Sequence, residues 1–177
     1  MIFYFGNQNL PMNESVPSRF SDNNGIKSIM KVPKDYEEFF VLLKKEKVKF
    51  LIVGAYALAY HGYPRFTGDI DIFISNEPPN ARRALSAIEK FGFQGIGITV
   101  EDLLKPDSIL QLGNPPLRID IITDIDGVSF TSAWKNRVRG IFGKQNVWYI
   151  SKKDLVKNKK ATGRTQDKFD LEMLKRK

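Results

Sequence analysis

The stretch from Phe50 to Ile74, FLIVGAYALAYHGYPRFTGDIDIFI, constrains this chain more than any other. It begins with an apolar run, Phe50-Leu51-Ile52-Val53, that stops at Gly54. It ends with Asp69 and Asp71 alternating with Ile70, Ile72 and Ile74. Alternation of period two is a strand signal, and it sends both carboxylates to one face and the isoleucines to the other. Two acids held side by side on a half-buried strand disfavour each other's ionisation unless a cation is close. The stretch therefore predicts a divalent-metal site between a strand–glycine–helix corner and an acidic strand.

The residues around it predict an α/β chain. Tyr36, Phe39, Phe40 and Leu43 recur at helical spacing, with acids early and lysines late, as the helix dipole favours. Val48–Val53 reads as a buried strand, Gly54–His61 as a short helix and 80–91 as an amphipathic helix. Residues 92–108 are glycine-rich and show no clear period. Ile109–Leu112 reads as a strand. Leu117–Ile122 repeats the alternation, with Leu117, Ile119 and Ile121 on one face and Arg118, Asp120 and Ile122 on the other. Phe130–Asn136 reads as a helix burying Trp134, and Val138–Phe142 with Val147–Ile150 as a strand pair. Ser151 and Asp154 form an N-cap signal for a helix ending at Gly163, and Thr165 is expected to cap a last helix. The expected organisation is an irregular N-terminal arm over 1–32, an α/β core over 33–150, and a helical segment over 151–177 packed on that core. The core is a small mixed sheet flanked by helices.

At 177 residues with a hydrophobic fraction of 42%, the chain can form one domain with an ordinary core. No window has the apolar length of a membrane span, and the N-terminus lacks the pattern of a signal peptide. With no cysteine there is neither a disulfide framework nor a thiolate zinc site. These features fit a cytoplasmic protein. His61 is the only histidine, which argues against histidine-built zinc hydrolases. The net charge is +8, and residues 135–177 hold 14 Lys and Arg against 4 acids, so the remainder comes to −2. A cationic C-terminal region suits a polyanion such as RNA or a nucleoside triphosphate. A solvated lysine-rich helix surface is the plain alternative.

If the strands bearing Asp69, Asp71 and Asp120 are neighbours, three carboxylates converge. Such an oxygen-rich cluster suits magnesium or manganese. Ions held this way activate a hydroxyl and align an in-line displacement of pyrophosphate. At Gly54, the unpaired N–H groups of a helix start and the lack of a side chain suit a phosphate.

Gly54-Ala55, the spacer, Asp69-Ile70-Asp71-Ile72 and the later strand acid Asp120 resemble the nucleotidyltransferase superfamily with the DNA polymerase β-like core. The runs HGYPRFTGDIDIFI, PPLRIDIITDIDGVSFTSAW and DLVKNKKATGRTQDKFDLEML resemble one branch of it. That branch is the small bacterial proteins related to the AbiEii toxins of type IV toxin–antitoxin systems. The resemblance spans about residues 33–177. It departs at Ala55, where the family has Gly or Ser, so a phosphate-binding hydroxyl is missing there.

The resemblance implies a metal-dependent enzyme that moves a nucleoside monophosphate from an NTP to a hydroxyl. Asp69, Asp71 and Asp120 would be the catalytic, metal-holding acids. Gly54 and Ala55 would offer backbone amides to phosphate, Arg65 and Thr67 would touch phosphate or base, and Lys159 would meet the triphosphate. An RNA or tRNA acceptor is implied, as is a cognate antitoxin partner. Protein adenylylation is an alternative acceptor chemistry, and a non-catalytic nucleotide- or nucleic-acid-binding module an alternative class. Asp124 and Asp126 compete with Asp120 for the metal, but they fall in a turn-like Asp-Ile-Asp-Gly, and strand parity favours Asp120.

Overall fold

The computed structural model describes residues 2–4 and 33–175. Strand β1 (Ile2–Tyr4) comes from the segment expected to be irregular; residues 5–32 of that segment lie outside the described residues. Helix α1 (Lys34–Lys45) buries Tyr36, Phe39, Phe40 and Leu43, with Asp35 and Glu37 in its first turn and Lys44 and Lys45 in its last. Strand β2 (Phe50–Ile52) is buried throughout, and helix α2 (Gly54–Tyr60) follows after one residue. Strand β3 (Asp69–Ile74) carries the acidic pair.

Helix α3 (Pro78–Ile88) starts two residues earlier than the apolar pattern implied. Pro78 and Pro79 occupy its first turn, where a missing N–H breaks no helical bond. It runs on into one π-helical turn over Glu89–Phe93 that contains Gly92. Helix α4 (Val100–Leu104) lies in the stretch without a period, and it is fixed by a capping box between Thr99 and Asp102. Then come β4 (Ile109–Leu112), β5 (Arg118–Ile122), α5 (Phe130–Lys135), β6 (Val138–Phe142) and β7 (Gln145–Tyr149). Helix α6 (Lys152–Thr162) is capped by the Ser151 hydroxyl, which accepts from the Asp154 N–H, and Gly163 ends it. Helix α7 (Thr165–Lys175) takes Thr165 as its first residue rather than as its cap.

All seven strands form one mixed sheet in the order β1-β4-β5-β3-β2-β7-β6. Strand β3 runs parallel to β5 and antiparallel to β2, so the acidic strand is central. The isoleucine face forms the core, with Ile70, Ile72, Ile74, Ile119 and Ile121 all buried. Phe40 stacks on Phe50 at 5.5 Å, and Phe142 meets Phe40 edge-on at 5.0 Å. Truncating such a ring to alanine costs about 3–5 kcal/mol. Leu155 of α6 and Leu174 of α7 belong to the same core. Trp134 is only half-buried; its helix buries Ala133 instead.

Two polar contacts lock the frame that holds the acidic strand. Tyr36 donates its hydroxyl to the Arg118 carbonyl at 3.1 Å, tying α1 to the start of β5. Asn80, fully buried, accepts from the Lys49 N–H at 2.7 Å and donates to the Lys49 and Ser75 carbonyls. It thus pins α3 to the end of the antiparallel β2–β3 pair where Lys49 enters and Ser75 leaves.

Candidate active site

Parallel pairing of β3 with β5 sets Asp69 opposite Arg118 and Asp71 opposite Asp120. All four side chains fall on one face by strand parity, so the three acids share that face of two adjacent strands. Arg118 stands among them. Its Nε donates to Asp120 Oδ1 at 2.6 Å, and its Nη2 donates to Asp120 Oδ2 at 2.9 Å and to Asp69 Oδ2 at 2.5 Å. Gln111, the register partner of Asp120 on β4, donates to Asp120 Oδ2 at 3.3 Å. Thr67 gives its hydroxyl proton to Asp69 Oδ1 at 2.6 Å.

Asp71 differs. Its carbonyl accepts from the Val53 N–H at 3.0 Å, but its carboxylate receives no side-chain hydrogen bond among the described residues. Burial, then the neighbouring Asp69 and Asp120, push its carboxyl up to about 6, although Arg164 and Lys159 pull the other way. A buried acid facing two others is a group that gains from a cation. Gly54 makes room for it: at φ +59°, a Cβ on Gly54 would overlap Asp71 Oδ2. Only glycine tolerates both that backbone and that approach.

Among the described residues no group of three or more acids and histidines is spaced so that it could hold a metal ion. The donor chemistry nonetheless fits a hard divalent ion. Three carboxylates share one face of adjacent strands, and Arg118 shows that a cation already bridges two of them.

Asp71 opens on a cleft of about 280 Å³ whose other walls include Gly54, Arg65, Asp124, Asp126, Lys159 and Arg164. One end is the turn after β5, where Asp124 and Asp126 are exposed. The opposite wall is α6 and the start of α7. Gly127 lets these two sides approach: a Cβ there would lie 2.8 Å from Ala161 Cβ and 3.4 Å from the Lys157 carbonyl oxygen. Asn158 donates to the Asp126 carbonyl at 3.0 Å across the same contact.

A family model described as "nucleotidyltransferase of unknown function (DUF6036)" matches residues 27–175. The chain belongs to that family. This nucleotidyltransferase also shares its fold with solved structures. One is the lincosamide antibiotic adenylyltransferase LnuA in its lincomycin-bound form, at a TM-score of 0.52 and 15% identity, covering 81% of this chain and 96% of that one. Another is a Thermotoga maritima protein named provisionally as a nucleotidyltransferase, at a TM-score of 0.54 and 17% identity, covering 79% of this chain and 89% of that one. No curated protein matches the chain.

The remaining candidates in this nucleotidyltransferase are placed as follows. Lys159 lines the cleft but is buried, with its Nζ 2.6 Å from Asp170 Oδ2 and 3.0 Å from Asp167 Oδ1. Arg65 lines the cleft and donates from Nε to Asp170 Oδ1 at 3.2 Å. Thr67 is engaged with Asp69. Ala55 is buried behind Gly54, and Val53 supplies no side-chain cap to the first turn of α2. His61 donates from Nε2 to the Ile150 carbonyl at 2.9 Å, and burial lowers its pKa, so it serves packing between α2 and the end of β7. Trp134 and Trp148 enclose the Arg137 guanidinium at 4.2 and 4.5 Å, away from the cleft. Sequence reading missed Gln111. The signal was present: a lone amide in the strand Ile109-Leu110-Gln111-Leu112 marks the face that is not wholly apolar.

Proposed function

We propose that this nucleotidyltransferase binds an NTP in the cleft beside Asp71 and moves its nucleoside monophosphate to an acceptor hydroxyl. The observation that supports it most is the pairing of Asp71 with Asp120, with Asp69 alongside, where Asp71 opens on a cleft that Arg65 and Arg164 also line. The hydroxyl oxygen forms a bond to the α-phosphorus, the bond from that phosphorus to the bridging oxygen breaks, and pyrophosphate leaves. Asp120 takes the hydroxyl proton once Arg118 has released it. Asp69 and Asp71, with Asp120, would hold magnesium or manganese, which neutralises phosphate charge when bound. The Gly54 and Ala55 amides lie at the corner beside Asp71, where they can meet phosphate.

The acceptor best supported is RNA, tRNA included, because the region from residue 135 onward carries an excess of ten positive charges. A small hydroxyl-bearing molecule is the second reading. The adenylyltransferase LnuA, whose structure holds lincomycin, shares the fold over 96% of its own length.

The test incubates the full chain with each α-labelled NTP, magnesium or manganese, and either total RNA or lincomycin, beside Asp69→Ala. Label that enters RNA and disappears in the variant supports the leading reading. Label in lincomycin alone moves the assignment to the second. Nucleotide binding without transfer to any acceptor, protein included, overturns both.

A further inference from the structure

We infer that Asp170 is a positioning residue that presents Arg65 to the cleft as the triphosphate-binding cation, and that Lys159 is the buried counter-charge of Asp170 rather than a phosphate ligand. The inference rests on the proposed NTP site.

Lys159 is 3% exposed, and its ammonium lies between the carboxylates of Asp167 and Asp170. To reach a phosphate it would leave the buried Asp170 and Asp167 facing only the partly exposed Arg65 and the exposed Arg164. Asp170 is 1% exposed, and every contact it makes is directed. Its Oδ2 accepts from Lys159, while its Oδ1 accepts from Gln166 Nε2 at 3.1 Å and from Arg65 Nε at 3.2 Å. Burial would push the Asp170 carboxyl up, but the Lys159 and Gln166 hydrogen bonds prevail and hold it below the usual carboxylate range. The carboxylate is thus a fixed anchor for whatever approaches it from the cleft.

Arg65 approaches it, from the loop before β3. Its Nε is held by Asp170, and its Nη1 donates to the Phe66 carbonyl at 3.3 Å. With two corners tied, the planar fork is oriented before any ligand arrives, and the Nη2 edge keeps its donors for an anion. About a third of the side chain is exposed. A guanidinium tethered through Nε binds phosphate oxygens as a fork, which a lysine in the same place cannot do. The loop, α6 and α7 are joined by this network, which gives the C-terminal helix a part in nucleotide binding without a contact of its own.

The test titrates the full chain with ATP, inorganic tripolyphosphate and adenosine in magnesium. Arg65→Ala is expected to weaken ATP and tripolyphosphate by about tenfold or more and to leave adenosine unchanged, with Arg65→Lys recovering little. Asp170→Asn, which keeps the shape of the side chain, is expected to weaken both phosphates several-fold, and to add nothing in the Arg65→Ala background. Tripolyphosphate affinity that survives Arg65→Ala overturns the inference. So does an Asp170→Asn effect that adds fully to that of Arg65→Ala. Because Arg65 is partly exposed, its variants decide the matter even if Asp170→Asn does not fold. A wild-type chain that binds neither ATP nor tripolyphosphate overturns the proposed function as well. NTP transfer with Arg65-independent affinity overturns the inference alone.

Discussion

Two ion clusters flank the cleft, and each places one cation between two aspartates. Around the acidic strands, Arg118 bridges Asp69 and Asp120, and the side chains of Arg118 and Asp69 are 24% and 30% exposed. Between the C-terminal helices, Lys159 bridges Asp167 and Asp170, and the side chains of Lys159, Asp167 and Asp170 are 4%, 12% and 1% exposed. The same charges serve opposite ends. Where water reaches the pair, screening makes it cheap to open, and its cation can be exchanged. Where water is excluded, removing one partner strands the other, and the cluster is a fixed part of the frame. The first cluster has the properties of a site; the second those of a scaffold.

The comparison breaks most sharply on activity. Asp71→Ala and Asp69→Ala should each cut nucleotidyl transfer by about 10³-fold or more in single-turnover label assays, with the far-ultraviolet spectrum unchanged. If transfer continues at near wild-type rate, the exchangeable cluster is not the site. Stability comes next. Lys159→Met should cost about 3 kcal/mol in urea unfolding, because the buried Asp170 and Asp167 would keep only the partly exposed Arg65 and the exposed Arg164 as counter-charges. A loss below about 1 kcal/mol would place Lys159 among ordinary surface ions and erase the contrast.

Arg118→Gln should cost less, about 1–2 kcal/mol, since Gln111 still bonds Asp120. The same variant should bind manganese more tightly than wild type by calorimetry, as an internal competitor has gone. Weaker binding would mean that Arg118 orients the acids and does not compete for them.

The smallest expected effect concerns pH. In the metal-free protein the Asp71 carboxyl is pushed up to about 6 from 3.8, so the folded state keeps a proton that the unfolded state has lost. Its contribution to stability is complete below 3.8 and disappears as pH rises through about 6. Asp71→Asn should therefore melt roughly 2–6 °C above wild type at pH 8, and close to it at acid pH. Added manganese should raise the wild-type melting temperature and not that of the variant.

Much of the acidic cluster was legible because a strand has a strict period. DIDIFI and LRIDII place Asp69, Asp71, Arg118 and Asp120 without reference to any other part of the chain. Their meeting required the two strands to be neighbours, and the register of Asp71 with Asp120 meets that requirement. The polar face already set Arg118 beside Asp120, but its reach across to Asp69 was not legible, since which acids an arginine takes depends on distances of a few ångströms. The scaffold cluster was harder still. Lys159 and its partners Asp167 and Asp170 are eight and eleven residues apart, about two or three turns along a single helix and too far for contact there; they meet because the chain turns back at Gly163. Helix α4 has only five residues, too few to show a period, and its one readable mark was Thr99 with Asp102. The C-terminal basic excess reads as free positive surface in sequence, yet Lys159 spends its charge internally.

The contact at Gly127 bears on the width of the cleft. The turn after β5 and helix α6 meet there at backbone range, so this glycine works as a spacer gauge between the two jaws of the cleft. A bulkier residue at position 127 would act as a shim, wedging the jaws apart while leaving Asp69, Asp71 and Asp120 in place. The size of molecule this enzyme admits is then adjustable at a position that takes no part in the chemistry.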